Sequence, residues 1–233
     1  MQAVILAAGK GTRMGELTES VPKPMLKVSG KTLLEHKLDA LSGIADDIII
    51  VVGHYGGVIH DYFGGTYGGT RLLYVEQDVL DGTAGALWRA KDALTDRFLV
   101  LMGDDLYSRT DIERCLVPGD GWVMLVEETS QPRSGGDVKL DTHHHIKDIV
   151  EGEYKGHGYI GTNLFALDVS LFDFPMIPKT AGSNEYGLPQ TVLKAAKELK
   201  IPFYAVQATG WVQITSPRDL VKAERVLALS MAP

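Results

Sequence analysis

The chain has almost no cysteine, no surplus of positive charge and no long apolar run, and each absence closes off a class of protein. One cysteine, Cys115, stands among 233 residues, so no intramolecular disulfide framework holds the fold. Cys115 falls between Ile112 and Leu116 in a helical pattern, where a free cysteine packs as a small apolar residue. Asp and Glu number 30 against 23 Lys and Arg, a formal net charge of −7. A nucleic-acid polymer therefore has no bulk electrostatic reason to bind. The apolar runs are far shorter than the ~20 residues of a membrane span. The opening run Ala3–Ala8 lacks a basic flank and flows into glycines, unlike a signal peptide. The expectation is a cytoplasmic protein that does not bind membranes. No linker, repeat or low-complexity tract divides the sequence, so residues 1–233 read as a single domain.

What is present is alternation. Ala3–Ala8, Asp47–Gly53, Leu72–Glu76 and Phe98–Met102 are short apolar runs that read as buried strands. Between them lie helical patterns at Leu33–Leu41, Tyr55–Phe63 and Gly82–Leu94. Strand–helix alternation of this kind predicts a mainly parallel sheet with right-handed crossovers and helices on both faces. The second half reads differently. Val123–Glu127, Asp137–Leu140, Ile146–Val150 and Tyr159–Leu167 are strand-like with little helix between them. Helices return at Tyr186–Leu199 and Pro217–Leu229. The fold class expected is α/β: a Rossmann-like, mixed sheet with a β-rich extension. Gly64–Gly69 reads as a wide turn.

Ligands of such sheets sit at the carboxyl ends of the strands. Two such ends carry chemistry. Gly9-Lys10-Gly11-Thr12-Arg13 follows the first strand, and Pro22-Lys23-Pro24 follows soon after. Glycines let backbone N–H groups approach phosphates, and Arg13 and Lys23 supply charge. Gly103-Asp104-Asp105 ends another strand. Asp104 offers a hard carboxylate for Mg²⁺, while Asp105 or Asp111 better suits a helix cap. Gln77 ends a third strand, five residues before Gly82. Its amide offers a donor and an acceptor, matching the edge of uracil or thymine. Gly161 interrupts a good strand, which signals either ligand approach or a bulge. Glu185 precedes a helix, where it favours the N-terminus or holds sugar hydroxyls. His143-His144-His145 reads as a solvated turn, because adjacent residues alternate faces.

These residues carry a resemblance. LAAGKGTRM with PKPMLKVSGKTLLEH resembles the signature of the sugar-1-phosphate nucleotidyltransferases, the NDP-sugar pyrophosphorylase family. QDVLDGTA resembles that family's base-recognition loop and VLMGDD its metal aspartate. GYIGTNLF, NEYGLPQTV and GWVQITSPRDLVKAE resemble its sugar-side and closing segments. The resemblance implies transfer of a nucleotidyl group from a nucleoside triphosphate to a sugar 1-phosphate, with Mg²⁺ as cofactor. It implies catalytic roles for Arg13, Lys23 and Asp104. It implies nucleotide binding by Leu6, Ala8, Gly9, Gly11, Thr12, Gln77, Gly82 and Thr83. Gly136, Glu151, Lys155, Gly161, Asn163 and Glu185 would serve the sugar phosphate. It leaves a homo-oligomer open; some relatives carry a C-terminal acyltransferase-type β-helix, and with the sequence stopping at Pro233 the expectation is none here.

Two departures stand out. The family's closing segment places a second metal aspartate where this chain has Gln213, whose carbonyl can ligate but brings no charge. The family's Glu-Lys-Pro is missing after Ile149; Glu151 is followed by Gly152, and Lys155 is the substitute nearest in sequence. Gln77 favours UTP or dTTP. GTAGAL also resembles the guanylyl-transferring relatives, which use mannose 1-phosphate and GTP. Gln213 motivates a further alternative, a catalytically silent relative that binds an NDP-sugar and regulates a partner. A dinucleotide-binding oxidoreductase fits worse, because Met14 occupies the third glycine position of its fingerprint.

Overall fold

The computed structural model describes residues 1–130, 133–154 and 156–230. The first half contains strands β1 (Gln2–Leu6), β2 (Lys27–Val28), β3 (Lys31–Thr32), β4 (Asp47–Val52), β5 (Thr66–Tyr67), β6 (Thr70–Glu76) and β7 (Phe98–Met102). Its helices are α1 (Leu33–Leu41), α2 (Gly56–Phe63), α3 (Gly82–Arg89) and α4 (Arg109–Cys115). Then come β8 (Trp122–Thr129), β9 (Arg133–Leu140), β10 (Ile146–Tyr154) and β11 (Gly158–Leu167). Helix α5 (Leu188–Leu199), β12 (Phe203–Gln207) and α6 (Pro217–Ser230) complete the order.

Among the described residues, ten strands form one sheet in the order β10-β9-β11-β7-β1-β4-β6-β5, with β8 pairing β11 and β12. β7, β1, β4 and β6 run parallel. β11 is antiparallel to β7, β8 and β9, and β9 to β10. The parallel half and the β-rich extension expected from the sequence are thus one continuous sheet.

The apolar runs are continuous because both faces are covered. Val4 and Leu6 of β1 pack with α3 and α5, while Ala3 and Ile5 pack with α1, α2 and α4. β4 divides in the same way. Helix α1 starts at a capping box, Thr32 and Glu35 each accepting from the other's backbone N–H. Cys115 is buried, and burial pushes its thiol up to about 12, which leaves it an inert core residue.

Several local expectations change. β1 ends at Leu6, two residues early. α3 stops at Arg89, and Lys91–Ala93 forms a separate 3₁₀ turn that still buries Leu94. The stretch read as a wide turn holds a tight hairpin. Tyr67 pairs with Thr70 across Gly68 and Gly69, both at positive φ, as a two-residue hairpin requires. Neither Asp105 nor Asp111 caps α4. Ser108 does, accepting from the Asp111 N–H at 3.1 Å. Asp111 is fully buried and accepts from Thr209 and Gly210. β12 was not anticipated, because its five residues are mostly half-buried and show no clean alternation. The three histidines lie on the β9–β10 turn, which the Asp141 carboxylate closes by accepting from the His143 and His145 N–H groups.

Candidate active site

From β1 the chain builds the sheet outward through β4 and β6, then returns to place β7 on the other side of β1. That reversal opens a crevice beyond the strand ends. A cleft of about 730 Å³ lies there. Leu6, Ala8, Gly9 and Arg13 reach it from β1, Gln77, Gly82 and Thr83 from the segment after β6, and Met102 from β7. Gly136, Gly152, Gly161 and Asn163 enclose it from β9, β10 and β11, with Glu185 before α5 and Gln213 after β12.

The first strand end is a compact 3₁₀ segment rather than an open loop. Thr12–Thr18 is two 3₁₀ turns kinked at Gly15 (φ +58, ψ −135), Met14 is buried beneath them, and Gly11 takes φ +64. A Cβ on Gly11 would stand 3.0 Å from Lys23 Cβ, so the two motifs are packed together. Gly11 and Thr12 belong to this turn without lining the cleft, and Arg13 is exposed into it. Lys23 is buried between two prolines. Its Nζ donates to Asp104 Oδ2 at 2.7 Å and to the Ile214 carbonyl. Lys23 and Asp104 therefore form one ion pair beside the cleft without lining it; Asp104 follows the lining residue Met102 by two positions, and the Ile214 carbonyl that Lys23 meets follows the lining residue Gln213.

A buried layer supports that pair. Gly103 donates its N–H to the Leu6 carbonyl, and Leu106 and Val212 exchange backbone bonds. Asp105 accepts from the Ile214 N–H at 3.0 Å and Trp211 Nε1 at 3.2 Å. Burial, with the Asp104 charge next, pushes its carboxyl up to about 7. Lys37 of α1 is 1% exposed, and its Nζ donates to the Leu33 carbonyl at 2.8 Å. Burial pulls its ammonium down to about 7, against the opposing pull of Asp104 and Asp105. Lys37 was missed, though a signal exists: it sits on the apolar stripe Leu33, Leu34, Leu38, Leu41.

The far wall joins two distant segments. Tyr186 N–H donates to the Asp81 carbonyl at 2.7 Å, and the Ala84 N–H to the Tyr186 carbonyl at 3.1 Å. Thr83 Oγ1 accepts from the Leu188 N–H at 3.0 Å, starting α5. Gly82 sits at φ +99, and a Cβ there would lie 2.3 Å from the Tyr186 oxygen. Gln77 is 5% exposed, and its Nε2 donates to Asp81 Oδ1 and the Gly82 carbonyl.

The remaining wall is β9, β10 and β11. Glu151 stands opposite Gly136 in the β9–β10 register. Gly161 lies at a register irregularity, the β11–β8 pairing shifting between Gly161 and Phe165, and it also lines the cleft. Between those two residues Asn163 takes φ +59. Lys155 lies outside the described residues. Lys179, which no sequence pattern marked, lines the cleft beside Glu185, its N–H donating to the Glu185 carbonyl. No helix among the described residues is long and apolar enough to cross a membrane.

Known proteins match this arrangement. The bifunctional protein GlmU of Methanocaldococcus jannaschii is 31% identical over 97% of the chain and 54% of its own length. The chain thus spans about half the length of the GlmU relatives it matches. The UTP–glucose-1-phosphate uridylyltransferase AglF of Haloferax volcanii is 27% identical over 97% of the chain and 96% of its own length. A crystal structure described as a glucose-1-phosphate thymidylyltransferase from Bacillus anthracis superposes with a TM-score of 0.84 at 23% identity, covering 100% of this chain and 97% of that one. The inositol-1-phosphate CTP transferase of T. maritima gives 0.79 at 20% identity, over 97% and 94%. These two establish likeness of fold. The family model for nucleotidyl transferases matches residues 2–228, and with nearly all of its length accounted for in this way, the chain belongs to that family.

Proposed function

We propose that the chain transfers a nucleotidyl group from UTP or dTTP to a sugar 1-phosphate, giving an NDP-sugar and pyrophosphate. The observation that carries this reading is one cleft lined by Gly9, Arg13 and the buried Gln77 together with Gly161, Lys179 and Glu185. The name of the Haloferax relative, nearly equal in length, supports a uridylyl transfer to a glucose 1-phosphate.

In the reaction a phosphate oxygen of the sugar 1-phosphate bonds to the α-phosphorus of the triphosphate. The bond from that phosphorus to the β-phosphate bridge oxygen breaks, and pyrophosphate leaves with the electron pair. A phosphate monoester is already an anionic nucleophile, so no base is needed to activate it. The protein's task is to bring two anions together in line. Arg13 holds triphosphate oxygens in its planar fork. Lys23, kept in place by Asp104 and the Ile214 carbonyl, neutralises charge that grows on the reacting phosphates.

Asp104 Oδ2 accepts from Lys23, which leaves Oδ1 for a metal. One carboxylate oxygen, the Gln213 carbonyl and substrate phosphates suit Mg²⁺, which keeps few protein ligands. When bound, Mg²⁺ adds positive charge to the phosphates. Gln213 supports a second reading, a silent relative that binds NDP-sugars and regulates a partner.

Pyrophosphate release decides between these readings. The assay contains Mg²⁺ and runs UTP, dTTP, CTP, GTP and ATP against several sugar 1-phosphates. Release with UTP or dTTP supports transfer and names the sugar. GTP outpacing both, with mannose 1-phosphate, reverses the choice of base. A blank grid in which NDP-sugars still raise the melting temperature supports the silent binder.

A further inference from the structure

Gln77 is fixed in the cleft wall in one orientation, and the residue that fixes it is Asp81. Nε2 lies 2.9 Å from Asp81 Oδ1 and 3.2 Å from the Gly82 carbonyl oxygen. A carboxylate and a peptide carbonyl accept and do not donate. The atom between them must be the NH2, so the partners settle the amide assignment. Both NH2 hydrogens are engaged. Among the described residues nothing donates to Oε1. Gln77 therefore offers a ligand an acceptor alone, not the donor–acceptor pair its sequence position suggested.

The loop is arranged to free Asp81 for this. Asp81 holds the N-cap position of α3, where an aspartate ordinarily accepts from the second or third helical N–H. Its carboxylate makes no such bond. The Ala84 N–H donates instead to the Tyr186 carbonyl, about a hundred residues away in sequence. Gly85 leaves the room, since a Cβ there would stand 1.9 Å from Asp81 Oδ1. Arg89 Nη2, 3.8 Å from Oδ2, steadies the other oxygen.

We propose that Asp81 is a specificity-determining positioning residue. By holding the Gln77 Oε1 toward the ligand it selects uracil or thymine, which carry an N–H at ring position 3, over cytosine, which carries a bare acceptor there. The inference rests on the nucleotidyl-transfer reading and deepens it. With Oε1 facing ring position 3, cytosine would set lone pair against lone pair and leave a buried acceptor unsatisfied unless the base shifted to bring its 4-amino group there. A site that hydrogen-bonds one donor rejects the analogue lacking it far better than an apolar pocket rejects a methyl group.

The test compares the wild type with Asp81→Asn and Asp81→Ala. Each is given UTP and CTP with an accepted sugar 1-phosphate, and UDP and CDP binding is measured by calorimetry. The wild type favours UTP over CTP in kcat/KM by at least ~10-fold. Asp81→Asn can donate to Oε1 and turn the NH2 toward the ligand. It lowers that preference by ~10-fold or more, through KM, with kcat at saturating UTP within about twofold of the wild type. Asp81→Ala releases the amide without reversing it and gives a smaller drop. A merely structural role would reduce both nucleotides alike. An unchanged UTP-to-CTP ratio in both variants, or a wild type that prefers CTP, overturns the proposal. If the wild type turns over neither triphosphate, yet binds UDP more tightly than CDP and loses the difference in Asp81→Asn, transfer fails and this assignment stands. Equal binding of UDP and CDP, or none, overturns the assignment.

Discussion

The two ends of the cleft are built to different tolerances. At the nucleotide end Gly82 and Gly103 are demanded by crowding, although Gly9 has nothing within 4 Å of an added Cβ. A Cβ on Gly82 would meet the Tyr186 backbone at 2.3 Å, and one on Gly103 would meet the Leu6 oxygen at 2.8 Å. Neither neighbour can move without shifting a strand or a helix start. At the sugar end Gly152 has nothing within 4 Å of an added Cβ, its φ of +149 being what favours glycine there, and Gly161 would meet the flexible tip of Met124 at 3.2 Å. The first end is rigid because it is cut from the parallel core. The second lies on an antiparallel wall with a register shift, where an added Cβ at Gly152 or Gly161 meets no backbone atom closer than 3.8 Å. Under the proposed function, such a contrast would hold the phosphate chemistry constant while leaving the sugar open to variation. The expected effects of substitution follow that contrast.

The largest effect belongs to the ion pair beside the cleft. Lys23→Ala and Asp104→Ala should each lower kcat by at least ~100-fold, as loss of a transition-state donor does. Turnover near wild type in either variant would remove both residues from the mechanism. Gly82→Ala comes next. A non-glycine residue at φ +99 that also strikes a backbone oxygen should lose about 2–4 kcal/mol of stability in urea melts. KM for the triphosphate should rise while KM for the sugar phosphate stays. A variant as stable as the wild type would mean this wall is as pliant as the other.

How much of this was legible beforehand depends on the range of the interaction that fixes each residue. The β1 and β7 ends were readable because apolar runs buried on both faces stop abruptly at glycine, a purely local pattern. The position of Gln77 was readable because it directly follows the strand-like run Leu72–Glu76, again a local pattern. Its orientation was not, because that depends on Tyr186 relieving Asp81 of its capping role. Asp105 looked like a cap and proved to be a strut, since its partners Trp211 and Ile214 lie far along the chain. Lys179 sits in irregular chain between a 3₁₀ turn and α5, where no periodicity marks a face. β12 stayed hidden because a short, half-buried strand has no signature of its own.

Lys179 tests the sugar-phosphate side from the segment before α5, outside the antiparallel wall. Arg13 and Lys179 are the Lys and Arg side chains among the described residues that line the cleft, and the family's usual lysine after Ile149 is missing. Lys179→Ala should raise KM for the sugar 1-phosphate by ~10-fold, the scale of one charge-assisted hydrogen bond. KM for the triphosphate and the melting temperature should hold. An unchanged KM for the sugar phosphate would show that Lys179 is only a solvated rim residue.

The smallest expected effect is on stability alone, and it probes how the rigid end tolerates a buried cation. Lys37 has its ammonium pulled down to about 7 by burial, from 10.5. Between those values the unfolded chain binds a proton at Lys37 that the folded chain does not. Stability therefore rises with pH across that window, by up to about 1.4 kcal/mol per pH unit, and is lost as pH falls toward 7. Asp105 acts lower on the scale. Its contribution is full below 3.8 and gone once pH has risen through about 7, so it does not mask the window above. Lys37→Met keeps the volume and the apolar stripe of α1 and removes the proton. Urea melts from pH 7 to pH 10 should show a wild type that gains stability relative to Lys37→Met as pH rises. Parallel curves would mean that Lys37 keeps its proton in the fold, held by Asp104 and Asp105, and that the layer beneath the ion pair is itself an ion cluster rather than a neutral floor.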